Sequence, residues 1–196
     1  MARVTALRER RGTKVVDVEL DGAPWRSLPL DVVARVGLRE GTELDRTRAR
    51  ELRRELRRAE ALGTAVRALR SRDLPRARLE ERLARRGIAP EPAAEALETL
   101  ERAGYLDDER VARGRAAALA ARGLGDEAIR WDLERQGLDE GLAAAAVASL
   151  EPESYRARRI AAARGRTVPV ARALARKGFS QESLEAAFGE VVAGEG

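Results

Sequence analysis

The chain has 196 residues, 44% of them apolar and 36% charged but only 3% aromatic, with a formal net charge of +5 and neither cysteine nor histidine. Disulfides, thiolate nucleophiles and cysteine-based zinc sites are thereby excluded, and the commonest general base and metal ligand is missing. No stretch approaches the roughly 20 uncharged apolar residues of a membrane span, and residues 1–12 lack the apolar run of a signal peptide, so the reading is a cytoplasmic chain that is not an enzyme and needs no cofactor.

With two Trp, two Tyr and two Phe, the core must be built from Leu, Val and Ala, which favours helices. The first 45 residues are the exception. Val4–Arg10 and Lys14–Leu20 are β-rich runs, and in the second Val16, Val18 and Leu20 alternate with Asp17 and Glu19, the period of a half-buried strand. Asp21-Gly22 supplies the positive φ angles of a tight hairpin, after which Ala23–Leu28 returns as a third strand. Leu30–Val36 reads as a short helix closed by Gly37, and Arg39 to Thr42 as a turn leading out of the module. Such a sheet needs a helix over its apolar face.

From Asp45, a candidate N-cap, the period becomes helical, with Ala49, Leu52, Leu56, Ala59 and Leu62 on one face. Arg46, Arg50, Arg53 and Arg57 form a stripe along another side. The charge alternates in blocks: residues 46–86 carry fifteen Arg against six acids, residues 87–151 seven against fourteen, and residues 152–178 eight basic groups against Glu153 alone. Only Lys14 and Lys177 are lysines. Guanidinium suits phosphates and carboxylates, so separated basic blocks fit a polyanion or an acidic protein surface.

The remainder repeats. Aligned on Gly87, Gly137 and Gly178, three segments share Leu four residues before the glycine (Leu83, Leu133, Leu174), an apolar residue after it (Ile88, Leu138, Phe179) and Ala nine residues beyond (Ala96, Ala146, Ala187). Upstream, Leu79, Ile129 and Val170 superpose, as do Leu69, Leu119 and Ile160. Each copy reads as three helices, the second stopping at the glycine. Asp73 and Thr167 are candidate N-caps of second helices, with Pro75 and Pro169 in their first turns. The predicted fold is mainly α: three tandem three-helix repeats in an elongated curved array (46–106, 107–151 and 152–196) after a small antiparallel β-rich module (1–45).

Leu69–Arg72, Leu79–Gly87-Ile88, Gly104-Tyr105-Leu106-Asp107-Asp108 followed by Ala112, then Gly123 and Ile129–Gly137-Leu138 together resemble the RecX family of bacterial regulatory proteins. The likeness is strongest over residues 60–150, and the third copy lacks a Gly-Tyr-Leu-Asp-Asp counterpart. It implies three three-helix repeats and a modulator, usually an inhibitor, that binds the RecA recombinase filament on single-stranded DNA and suppresses its ATPase and strand exchange. The family has no catalytic residues to carry over.

Asp107, Asp108 and Glu109 could hold a hard cation, but a cap at Asp107 with two acids in the following first turn accounts for them. Tyr105 reads as a packing residue between repeats. Trp131 aligns with Glu81 and Arg172, positions that should face solvent, which makes it a hot-spot candidate. Arg78, Arg82 and Arg85, like Arg172 and Arg176, lie away from the buried leucines of their helices. Gly12-Thr13-Lys14 is not a phosphate loop, because no upstream glycine stands at the required spacing. The expected contacts with DNA backbone or partner are therefore Arg46, Arg50, Arg53, Arg57, Arg78, Arg82, Arg85, Trp131, Arg172 and Arg176. The alternative is a general DNA- or RNA-binding helical repeat protein without recombinase dependence.

Overall fold

A computed structural model describes residues 2–189. They are mainly helical behind an N-terminal antiparallel sheet, and fall into two compact units. One comprises the chain up to Arg72 with Leu79–Tyr105, the other Asp73–Arg78 with the chain from Leu106 onward.

In the first unit, β1 (Ala2–Glu9), β2 (Val15–Leu20), β3 (Ala23–Pro29) and β4 (Glu43–Leu44) form a sheet of order β3-β2-β1-β4. Asp21 (φ 51°) and Gly22 (φ 81°) make the β2–β3 turn with both central residues at positive φ, the geometry whose twist matches the strands. The fourth strand was not expected. Only two residues long and paired to Ala2 and Arg3, it is too short to show a period. Val4, Val16, Val18 and Leu28 bury one face of the sheet against Val32, Val33 and Val36 of α1 (Leu30–Val36), which ends at Gly37 in the left-handed conformation (φ 65°).

Asp45 caps α2 (Arg46–Leu69), its carboxylate accepting from the Arg48 N–H at 2.7 Å. Leu52 is buried in the sheet's core, with Leu56 and Ala59 packed against it. Further on the buried positions become Ala61, Thr64, Ala65 and Ala68, while Leu62 is only half-buried. A single apolar stripe over residues 49–62 therefore misses a change of face: α2 packs on α1 and also on α4 (Pro90–Arg102), so different stretches of one long helix turn different sides inward. Between α2 and α4 in the chain, α3 (Arg76–Arg85) fully buries Leu79 and Leu83.

The second unit contains α5 (Asp108–Ala121), α6 (Asp126–Arg135), α7 (Glu140–Ala148), α8 (Glu153–Arg164), α9 (Val168–Ala175) and α10 (Gln181–Phe188). Ala112, Ala116, Leu119, Ile129, Leu133, Leu138 and Ala146 make one core cluster from α5, α6 and α7, while Ala157, Ala161, Leu174, Phe179, Leu184 and Phe188 make another from α8, α9 and α10. Trimming one such buried leucine to alanine costs about 2–5 kcal/mol. Asp107 caps α5 as its position suggests, accepting from Arg110 N–H at 2.9 Å.

Two caps depart from expectation. Asp73 makes no capping bond among the described residues; the Asp108 carboxylate takes that place, accepting from the Arg76 N–H at 2.8 Å, so the start of α3 is satisfied by a residue 32 positions away. Thr167 occupies the N-cap of α9 without a side-chain bond. Tyr105 is also not a packing residue: it is 68% exposed, and the next residue, Leu106, is the buried one.

A polar network that was not foreseen lies inside the second unit. Glu153 (8% exposed) accepts from the backbone N–H of Asp126 at 2.6 Å and from the N–H and hydroxyl of Ser180 at 2.9 and 2.5 Å. Arg156 (3% exposed) pairs with Asp126, donates to the carbonyls of Leu124 at 2.8 Å and Glu151 at 3.1 Å, and lies 5.7 Å from the centre of the Phe179 ring. Burial alone would raise the Glu153 pKa, but the Ser180 hydroxyl and the backbone donors outweigh it and hold the carboxyl below its usual range. Burial raises Asp126 despite the pull of Arg156, helped by the nearby Glu153 charge.

Candidate functional site

The α2 arginines separate into two groups by helical position. Arg54 and Arg58 turn toward α4: Arg54 reaches Glu95 at 2.6 Å, and Arg58 lies 3.7 Å from the same carboxylate and donates to the Thr99 hydroxyl at 3.1 Å. Arg46, Arg50, Arg53 and Arg57 are all exposed and have no ion-pair partner among the described residues. At a rise of about 1.5 Å per residue the stripe presents a guanidinium every ~5–6 Å over one and a half nanometres of helix. Arg50, Arg53, Arg54 and Arg57 line a groove of about 300 Å³ with Ala89, Glu91 and Pro92 at the start of α4. Arg57 also borders a larger, mainly apolar hollow of about 1100 Å³ between α2 and the β3–α1 corner.

In the second unit, Trp131 is 61% exposed. It lines an open groove of about 510 Å³ with Ala128, Arg130, Glu127 and Glu134 of α6 and with Ala175, Arg176 and Gly178 at the end of α9. Trp131 and Arg176, expected separately, are thus brought to one place. Arg135 lies one turn on, its guanidinium 4.9 Å from the centre of the Trp131 ring, and an ion pair, Arg115 to Asp132, braces α6 against α5 and lowers the Asp132 pKa mainly through that hydrogen bond. Arg130 and Arg135 were missed, although the i,i+4 spacing of Trp131 and Arg135 was open to inspection. The contribution of α9 was not, since it depends on how two helices pack.

The remaining expected contacts divide. Arg82 and Arg85 are exposed on α3, Arg85 within 3.6 Å of Glu81, and Arg172 is exposed on α9. Arg78 is half-buried, and its guanidinium donates to the Arg135 carbonyl. It does not point freely outward with the other two, because the first turn of α3 is packed against the end of α6.

Among the described residues, no cluster of three or more acidic groups is placed to hold a metal ion, and no helix is long and apolar enough to cross a membrane. What the two surfaces offer is cationic side chains and one large exposed aromatic, the chemistry of macromolecular contact.

No family model matches the chain. Known proteins do. It is 37% identical over 97 residues to the regulatory protein RecX of Syntrophotalea carbinolica and 36% identical over 114 residues to that of Deinococcus radiodurans, matches covering 49% and 58% of this chain but only 63% and 54% of those proteins. With the regulatory protein RecX of Stenotrophomonas maltophilia, identity is 36% over 137 residues, spanning 65% of this chain and 82% of the relative. The chain belongs to the RecX family. Its fold agrees with a crystal structure of a regulatory protein RecX at a TM-score of 0.80 over 94% of this chain and 98% of the other, with 20% identity. A RecX structure from Lactobacillus salivarius gives 0.59 over 70% of this chain. Relatives of this RecX-family chain are named as regulators, not as enzymes.

Proposed function

We propose that this RecX-family protein acts in the cytoplasm as a regulator of the RecA recombinase, binding the recombinase filament on single-stranded DNA and inhibiting its ATPase and strand exchange. The observation that carries the reading is the relationship to proteins named RecX across 82% of one of them. In this reading the helices form three tandem three-helix repeats over 46–106, 107–151 and 152–196, behind the β module of 1–45. The unpaired stripe Arg46, Arg50, Arg53 and Arg57 meets phosphates or acidic recombinase surface, as do Arg82, Arg85, Arg172 and Arg176, and Trp131 inserts as an apolar anchor; Arg78 contributes by holding α3.

Replacing the four stripe residues together by glutamine tests the electrostatic half. If they touch phosphates, the salt dependence of binding to DNA-bound filament becomes shallower by about 0.7 per lost contact, with the helical circular dichroism unchanged. Trp131→Ala, at an exposed position, should leave stability within about 0.5 kcal/mol yet weaken filament binding by roughly thirtyfold, the effect of a residue worth about 2 kcal/mol at an interface. A protein that binds bare DNA as tightly as filament, and does so through the stripe alone, is instead the general nucleic-acid binder.

A further inference from the structure

The helices α3, α6 and α9, which align with one another in the sequence repeat, end in the glycine motif that also closes α1, α4 and α5 at Gly37, Gly104 and Gly123. At Gly87, Gly137 and Gly178 the backbone is left-handed (φ 73°, 87° and 80°), and the following N–H of Ile88, Leu138 or Phe179 returns to the carbonyl of Leu83, Leu133 or Leu174 at 3.1, 3.3 and 3.2 Å. Two of these ends are occupied by the start of another helix. Against Gly137 sits Ala77, in the first turn of α3, so close that a Cβ on the glycine would lie 2.5 Å from the alanine Cβ; the Arg78 guanidinium donates to the Arg135 carbonyl beside it. Against Gly178 sits Ala128, in the first turn of α6, where an added Cβ would lie 2.6 Å from the Ala128 Cβ and backbone nitrogen. The N–H groups of Gly125 and Glu127 donate to the carbonyls of Lys177 and Gly178 at 2.8 and 3.3 Å. At the end of α9 free carbonyls thus meet the N–H groups of a helix start, and at the end of α6 a guanidinium donates instead; in both a glycine and an alanine allow the approach.

The α9–α6 contact is also matched in charge: the end carrying Arg176 and Lys177 takes a start carrying Asp126 and Glu127, whereas the α6 end, with Glu134 beside Arg135, has no net charge. Gly87 is the third end, and it is open: a Cβ there would meet nothing within 4 Å. Arg82, Arg85, Arg86 and Gly87 are all exposed, and neither Arg82 nor Arg86 has an ionic partner among the described residues.

We propose that the end of α3, closed by Gly87 and rimmed by Arg82, Arg85 and Arg86, is a socket for the first turn of a partner helix that carries an acidic residue immediately before alanine, as Asp126-Glu127-Ala128 does. A second copy of this chain is a poor occupant. The start of α9, the second helix of the last repeat, offers Arg166, Thr167, Val168 and Pro169, basic and bulky where the internal plugs have small residues. The inference rests on the filament-binding reading, which makes the donor of the helix a recombinase subunit.

The test uses Gly87→Asn. Asparagine tolerates the left-handed conformation, and the free chain has room for the side chain, but a docked helix does not. Binding to recombinase filament on single-stranded DNA, followed by anisotropy of the labelled chain, should weaken about tenfold or more while binding to bare single-stranded DNA and the melting curve stay as in the wild type. As a measurement independent of that substitution, Arg86→Cys creates the only cysteine; carrying a photocrosslinker, it should attach to a recombinase helix start with an acid ahead of alanine. Unchanged filament binding by Gly87→Asn overturns the socket alone, as does crosslinking only to DNA or to no recombinase residue by a variant that still binds. A wild-type chain that does not bind filament overturns both the socket and the function it rests on.

Discussion

Arg156→Ala is expected to lower the stability of the helical unit from residue 106 onward by about 3–5 kcal/mol, the cost of removing one partner from a buried ion pair. The residue is buried and has no alternative place for its charge: Asp126, the Leu124 carbonyl and the Glu151 carbonyl all receive donors from this one guanidinium. Without it two carboxylates, Asp126 and Glu153, stay close with only the more distant charge of Arg130 acting on Asp126, and two carbonyls lose their donors. A urea or guanidinium midpoint far below the wild type, with an unchanged slope, is the predicted result. Glu153 gives the same network a pH signature. Its carboxyl is held below the usual value of 4.5, so the stability that it contributes is present above that value and is lost as pH falls through its folded pKa. Asp126 works in the opposite direction, because its pKa is raised. On acidification through the carboxylate range the wild type should lose the Glu153 contribution while Glu153→Gln, which has no charge to lose, does not, so the gap between their midpoints should narrow as pH falls.

Gly125→Ala should cost at least about 3 kcal/mol, at the upper end for overpacking. The position is not conformationally special: φ −81° and ψ 169° suit alanine as well as glycine. The obstacle is proximity. A Cβ would stand 2.1 Å from the Gly178 carbonyl oxygen and 2.2 Å from the Phe179 nitrogen, backbone atoms that no rotamer change can move, and the Gly125 N–H is itself bonded to the Lys177 carbonyl. Separating the two segments enough for a methyl group breaks that bond and the neighbouring Glu127 one. Gly114→Ala is the matched control. It lies exposed in α5 with nothing within 4 Å of the added methyl, and should stabilise by about 0.4–1 kcal/mol through the unfolded state. Thermal unfolding of the pair separates steric cost from the general effect of adding a methyl.

Much of this was legible in the sequence where a feature is local. Asp21-Gly22, Gly37, Asp45, Asp107 and the three helix-ending glycines each act within a few residues of themselves, so residue type and spacing suffice. The exposure of Arg46, Arg50, Arg53 and Arg57 follows from the same helical period that buries Leu52. What escaped depends on contacts distant in the chain. The acid that caps α3 is Asp108 and not the adjacent Asp73. The groove at Trp131 needs the end of α9, and Arg78 is held by the carbonyl of Arg135. Glu153 stood out only as the single acid of a basic block, and its burial beside Ser180 and Asp126 could not be read from that isolation.

The separation of α2 arginines bears directly on function. Arg54 and Arg58 are engaged with α4, and replacing them would disturb the fold along with any binding surface. Arg46, Arg50, Arg53 and Arg57 can be neutralised without unmaking an internal contact, which is what permits a clean functional test.

Inhibition of the filament is tested directly by following recombinase ATP hydrolysis on single-stranded DNA while this protein is titrated in, with its binding to the same DNA measured in the absence of recombinase. Suppression is expected at concentrations well below those that coat bare DNA. Hydrolysis that is unchanged, or that falls only once the DNA itself is saturated, would contradict it.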